Sequence, residues 1–306
     1  MVGGVTTNNG KNWLLNRAYK ATTDYEEVYY IKLGIGLTTP LVTDTDVEIP
    51  IPISNGTVND DGSNVLTGSS GGTDSTDNIA IFKEGAGVVD VTAQNLIGND
   101  TSVTKIWTIS NLATLGTIIT SSEHVSLWTY IKDTTTLNKL KSTGTCLEIK
   151  LGSDINNYYS ITKESSDLLV GWNWITSNTD TVADLSETGT VTGDIDTFII
   201  EITTNNATDE FVAGDIIYDL LRSYDDDDLF KVFVTGYPTI DEINIRSNIR
   251  CYLTTIEATG FNITEFGTFN NDATPVLLTH DVIDSISKSS TDEVAFISKD
   301  QMREHL

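Results

Sequence analysis

The chain has 306 residues, 39% of them hydrophobic, which is enough apolar side chain for two ordinary cores and excludes global disorder. Its formal net charge of -26 repels nucleic acids and anionic membrane surfaces, so neither is an expected partner. A run of about 18 apolar residues occurs nowhere, which argues against a membrane-spanning helix. The first residues, Met1-Val2-Gly3-Gly4-Val5, lack a basic region followed by an apolar stretch, so no secretory signal is expected.

In chain order, Asn12–Ala21 spaces Trp13 and Arg17, and Leu14 and Ala18, four residues apart and predicts a short helix. Val28–Ile35 places Tyr29, Ile31, Leu33 and Ile35 on one face of a strand. Ser54–Asn78 is rich in Gly, Ser, Asn, Asp and Thr and reads as a linker or long surface loop. In Val125–Ile131, the residues Val125, Leu127 and Ile131 oppose Trp128 and Tyr130. Thr134–Ser142 predicts one or two helical turns with Asp133 as N-cap. Leu147, Ile149 and Leu151 alternate with Glu148 and Lys150, and Phe198, Ile200 and Ile202 share a strand face. Four adjacent carboxylates, Asp225 to Asp228, prefer solvent and mark a second break. Phe261 and Ile263 alternate with Asn262 and Thr264, and Ser298–Leu306 predicts a short terminal helix. The period-2 runs and the Gly and Asn-Asp turns together predict an all-β chain.

The two ends carry motif halves. Near the start stands Tyr29-Tyr30-Ile31-Lys32-Leu33-Gly34-Ile35-Gly36-Leu37-Thr38-Thr39-Pro40, followed by Asp44-Thr45-Asp46-Val47-Glu48-Ile49-Pro50. Near the end stands Thr259-Gly260-Phe261-Asn262-Ile263-Thr264-Glu265-Phe266-Gly267-Thr268-Phe269-Asn270-Asn271-Asp272. Together they resemble a split module of tail-fibre, baseplate and other appendage proteins of tailed viruses. The middle carries Lys83-Glu84-Gly85, Leu127-Trp128-Thr129-Tyr130-Ile131-Lys132-Asp133, Gly171-Trp172-Asn173-Trp174 and Asp215-Ile216-Ile217-Tyr218-Asp219. That order resembles the concanavalin-like or carbohydrate-binding jelly-roll superfamily. The expected architecture is a jelly-roll β-sandwich over residues 57–225, inserted into a smaller β-rich base built from residues 1–56 and 226–306.

Chemistry-bearing residues are sparse. His124, His280 and His305 show no metal-ligand spacing and no Gly-x-Ser-x-Gly elbow accompanies them, so they read as isolated surface or loop histidines. No strand in the middle segment carries the paired carboxylates of a glycosidase, so an enzyme is not expected. Cys146 and Cys251 form neither a disulfide framework nor a zinc spacing and read as buried thiols, consistent with synthesis in a reducing cytoplasm. The jelly-roll resemblance implies a structural calcium at Glu84 and Asp215 with Asp219 nearby; solvated loop carboxylates are the alternative. Trp128, Tyr130, Trp172 and Trp174 are candidates to stack on sugar rings, with core packing as the alternative, and Trp128 is the best candidate for an exposed ring. Glu265 shares a strand face with Phe261 and Ile263, so it should be buried, with Arg246 or Arg250 as its partner. Trp13, Leu14 and Tyr19 form an N-terminal arm suited to assembly.

The expected function is a non-enzymatic virion protein: a capsid decoration, head fibre or tail appendage. It would dock by its base, associate with itself (as a trimer, by resemblance) and with other virion proteins, and display the jelly roll toward host-surface glycans. The alternatives are a non-viral soluble or cell-surface carbohydrate-binding protein and a glycan hydrolase. The former predicts a signal peptide or anchor, the latter a carboxylate pair.

Overall fold

The computed structural model describes residues 5–19, 28–52, 56–83, 93–112, 118–177, 180–224, 229–241, 246–255, 257–258, 260–272, 274–288 and 291–301. The chain starts with β1 (Val5–Thr6), α1 (Asn8–Tyr19) and β2 (Val28–Gly34). Then come β3 (Thr57–Asp60), β4 (Thr67–Ser69), β5 (Thr76–Asn78), β6 (Ala93–Asn95) and β7 (Thr104–Ile109). They are followed by β8 (His124–Ile131), α2 (Thr134–Lys139), β9 (Thr145–Asp154) and β10 (Asn157–Glu164). Next are β11 (Gly171–Thr176), β12 (Ser186–Thr188), β13 (Thr197–Thr203) and β14 (Ile216–Tyr224). The last elements are β15 (Phe230–Val232), β16 (Thr239–Asp241), β17 (Arg246–Leu253), β18 (Asn262–Asn270), β19 (Leu277–Ser287) and β20 (Val294–Gln301). The protein is thus mostly β, with several antiparallel sheets.

The chain divides into two compact units. The middle unit, Gly56–Asp225, holds two sheets. One has the order β12-β10-β9-β13-β7-β4; the other has the order β11-β8-β14-β6-β5, with β3 also on β14. The inward residues of both sheets join one buried cluster: Trp107 and Ile109 of β7, Leu147, Ile149 and Leu151 of β9, and Phe198 and Ile200 of β13, with Leu127 of β8, Ile175 of β11 and Tyr218 of β14. The alternation expected from sequence in β8, β9 and β13 is what fills this core. The Asp133 carboxylate caps α2 by accepting the Thr136 N–H at 2.8 Å, as its position predicted.

Ser54–Asn78 is not the expected loop. It contributes β3, β4 and β5, which pair with β14, β7 and β6. Asp60, Ser75 and Asn78 are buried and hydrogen-bonded, while most of its other described polar side chains are exposed. Tyr218 Oη donates to Asp60 at 2.8 Å, Ser75 Oγ donates to Gln94 at 2.6 Å, and Asn78 Nδ2 donates to Asn95 at 2.9 Å. Short strands that bury polar groups in pairs need no apolar periodicity.

The terminal unit combines Met1–Asn55 with Asp226–Leu306. Its larger sheet runs β1-β19-β18-β2-β15 and its smaller one β16-β17-β20. The central strand β18 lies between β19 and β2, and its residues from Ile263 to Asn270 are all buried. Tyr30, Phe269 and Leu277 form a small core that Tyr29 and Phe230 flank. The helix expected at Asn12–Ala21 begins earlier, at Asn8, because Thr7 Oγ1 accepts the Gly10 N–H at 3.0 Å and caps it. Where the terminal helix was expected at Ser298–Leu306, the described part, Ser298–Gln301, is strand. Residues Val294–Gln301 are a strand along the full length of β17, while 302–306 lie outside the described residues. A short helical pattern yields to such pairing, since one or two isolated turns are unstable.

Candidate functional site

The two motif halves meet in the terminal unit around Glu265. Its side chain is fully buried on β18. Oε1 accepts the Gly36 N–H at 2.8 Å and the Ile49 N–H at 2.9 Å, and Oε2 accepts the Glu48 N–H at 2.9 Å. His280, on β19, lies 2.8 Å from Glu265 Oε2 through Nε2 and 2.7 Å from Asp44 Oδ2 through Nδ1. A Cβ on Gly34 would overlap Glu265 Oε1, and one on Gly36 would stand 2.6 Å from the same atom. The two glycines therefore leave the space that the carboxylate fills. Thr264 Oγ1 closes the arrangement by donating to the Gly36 carbonyl at 2.8 Å.

This geometry corrects two expectations. His280 is buried, not a surface histidine, and it takes the place foreseen for Arg246 or Arg250 beside Glu265. The Arg250 guanidinium instead lies 4.8 Å from the Tyr252 ring, and the Arg246 side chain lies outside the described residues. His124 is also buried, stacked on Tyr224 with ring centroids 5.5 Å apart; His305 lies outside the described residues.

Both His280 nitrogens face carboxylates, so the ring is held doubly protonated and keeps no lone pair for a general base. Burial opposes its charge, but the bonds to Glu265 and Asp44 outweigh burial and raise its pKa above 6.5. Burial likewise pushes Glu265 up, yet His280 and the Ile49, Glu48 and Gly36 amides bring its pKa below 4.5. The raised histidine adds stability that is complete below pH 6.5 and lost as pH climbs through its folded value. The depressed glutamate adds stability that is complete above pH 4.5 and lost as pH falls through its folded value. Hydrogen exchange at the Gly36, Glu48 and Ile49 amides should therefore show constant protection, corrected for intrinsic rates, between pH 4.5 and 6.5, with a decline on either side. Protection that keeps rising on the alkaline side would refute the ion-pair account.

In the middle unit, Tyr130 pairs across strands with Trp172, and Trp128 with Trp174, on the sheet face opposite Leu127 and Ile131. The shared face matches the sequence reading, but the exposed ring does not. Trp128 is only 6% exposed and Lys83 Nζ lies 4.6 Å from its ring; Trp174 is 7% exposed. Tyr130 and Trp172 remain half-buried, their centroids 5.3 Å apart and their planes at 57°. Asn173 holds the turn before Trp172: its Oδ1 accepts the Leu169 N–H at 2.7 Å and its Nδ2 donates to the Leu169 carbonyl at 2.8 Å.

Of the residues expected around calcium, Glu84 lies outside the described residues. Asp215 is bound by Lys132 at 2.9 Å and Lys139 at 3.5 Å, and Asp219 Oδ2 accepts the Lys83 N–H at 2.6 Å. Among the described residues, no three His, Cys, Asp or Glu side chains converge as a metal site. Trp13 is half-buried and Leu14 exposed on α1; the Tyr19 side chain lies outside the described residues. Cys146 and Cys251 are buried free thiols, which burial pushes up to about 11 and about 12. No protein family matches this sequence, and no curated protein or solved structure is significantly similar to it.

Proposed function

We propose that this chain is a non-enzymatic structural protein of a tailed-virus-type particle. Its terminal unit docks, and its middle unit, a jelly-roll β-sandwich, is displayed for attachment to surface glycans. One observation carries the reading. Residues of both motif halves, Gly34, Gly36 and Asp44 from one end and Thr264 and Glu265 from the other, are bonded or packed into a single buried cluster. Chain ends so joined fold as one unit while the intervening residues form another. The shared core of the middle sheets supports the sandwich. The half-buried Tyr130–Trp172 pair suits a sugar face better than the covered Trp128 and Trp174 do.

The test is mass spectrometry of gradient-purified particles from cells that make this chain. Co-sedimentation at fixed stoichiometry supports the assignment; absence from the particles overturns it. On a glycan array, Trp172→Ala should weaken any sugar signal of the intact protein by about tenfold, the ~1.4 kcal/mol of one stacked ring. Undiminished binding by that variant would remove the Tyr130–Trp172 face from the proposal.

A further inference from the structure

Asp44, Asp46 and Val47 lie on one face of the larger terminal sheet and are fastened there at two points by charge. On that face Lys32 of β2, Gly267 of β18 and His280 of β19 stand in one cross-strand row. Lys32 Nζ holds Asp46 Oδ2 at 2.7 Å, and His280 Nδ1 holds Asp44 Oδ2 at 2.7 Å. Gly267 leaves room between the two: a Cβ there would stand 3.3 Å from Val47 Cγ1. The Asp44 end is a tight turn. Its carboxylate also accepts the Leu41 N–H at 2.8 Å, and its own N–H donates to the Leu41 carbonyl at 3.1 Å. Within that turn the Val42 carbonyl accepts the Asn8 N–H at 2.6 Å, at the start of α1.

The two fastenings differ in what a proton does to them. The Lys32–Asp46 pair contains no imidazole. His280 needs both ring hydrogens to donate to two carboxylates, and it gives one up as pH climbs through its folded value. The charged groups that face it are Glu265 from β18 and Asp44 from the turn. On the other side of β19, β1 brings only Val5 and Thr6; Asp281 alternates to the opposite sheet face, and Lys32, beyond Gly267, is engaged by Asp46. Burial decides which carboxylate keeps the remaining hydrogen. The Glu265 side chain is fully buried and has no water to turn to, whereas that of Asp44 is 24% exposed. The hydrogen therefore stays on Nε2, and Nδ1 turns a lone pair toward Asp44 Oδ2, where two acceptors repel. We infer that His280 is a proton-operated latch on the Leu41–Asp44 turn. Charged, it closes the turn onto β19; neutral, it keeps Glu265 and lets go of Asp44, and with it the tie from Val42 to α1. Lys32 and the Glu265 bonds to the Glu48 and Ile49 amides hold the following residues down. Thr7, whose Oγ1 donates to the Leu277 carbonyl at 2.6 Å, keeps α1 beside β19. The latch is internal to the terminal unit and does not depend on the virion reading.

Amide-resolved hydrogen exchange of the intact protein tests it, together with the nitrogen chemical shifts of the His280 ring. Above pH 6.5, once the histidine titrates, exchange at Asn8 and Leu41, corrected for intrinsic rates, should accelerate by up to about tenfold per pH unit, while Glu48 and Ile49 change less. The neutral ring should carry its hydrogen on Nε2. In Asp44→Asn the side-chain amide can donate to the bare Nδ1, so the extra opening at Asn8 and Leu41 should vanish. Asp44→Ala, which removes the acceptor for both His280 and the Leu41 N–H, should leave the turn open at every pH. The tautomer is read on the wild-type chain and decides independently of either variant's stability. A neutral ring with its hydrogen on Nδ1, equal loss of protection at all four amides, or opening that persists in Asp44→Asn overturns the latch.

Discussion

Replacing Glu265 with alanine should destabilise the terminal unit by about 3–5 kcal/mol, the usual effect of removing one member of a buried ion pair. The variant strands the Gly36, Glu48 and Ile49 amides, each of which now bonds a Glu265 oxygen, and leaves the buried His280 with Asp44 alone. Every orphaned buried donor adds its own desolvation cost. Hydrogen exchange resolved by peptide should show lost protection in β2, β18 and β19, with the middle unit unchanged. Glu265→Gln should be milder, since an amide oxygen can still accept some of these bonds. A loss under about 1 kcal/mol for the alanine variant would mean that the cluster is incidental to the fold.

Trp107→Ala should have an effect of similar size, about 3–5 kcal/mol, on the middle unit. The side chain is completely buried on β7, which pairs with β13 on one side and β4 on the other. Its indole N–H donates to the Thr73 carbonyl at 2.9 Å, and a Cβ on Gly72 would come within 3.2 Å of the ring. Truncation thus opens a cavity in the shared core and takes the indole donor from the Thr73 carbonyl. A urea titration should show the lower midpoint with little change in slope. An unchanged midpoint would show that the core collapses around the gap and that Trp107 is not a principal packing residue.

Local patterns made part of this protein legible before its structure. Leu127 and Ile131, Leu147 and Ile149, and Phe198 and Ile200 alternate with polar or outward residues, and each set enters the core of the middle unit. One buried face imposes a period of two on a strand, and that period survives in the sequence. Asp133 was readable for the same reason, because an N-cap acts on an amide three residues away.

What the tertiary structure alone decided lies in long-range pairs and in second faces. Asp44 and His280 are 236 positions apart, so no spacing rule joins them, and a lone histidine beside Asp281 reads as surface. The need of Glu265 for a partner followed from its strand face; the identity of that partner depended on β19 lying beside β18. Trp128 has the outward position its alternation demands, yet Lys83 covers it from a distant part of the chain. Ser54–Asn78 lacks an apolar period because its strands are short and its buried Asp60, Ser75 and Asn78 are bonded to Tyr218, Gln94 and Asn95 beyond the segment. Val294–Gln301 became a strand because β17 offered a complete partner. A sequence records what a residue's near neighbours require; a partner brought in from far along the chain leaves no periodic trace, because only the closed fold sets that distance.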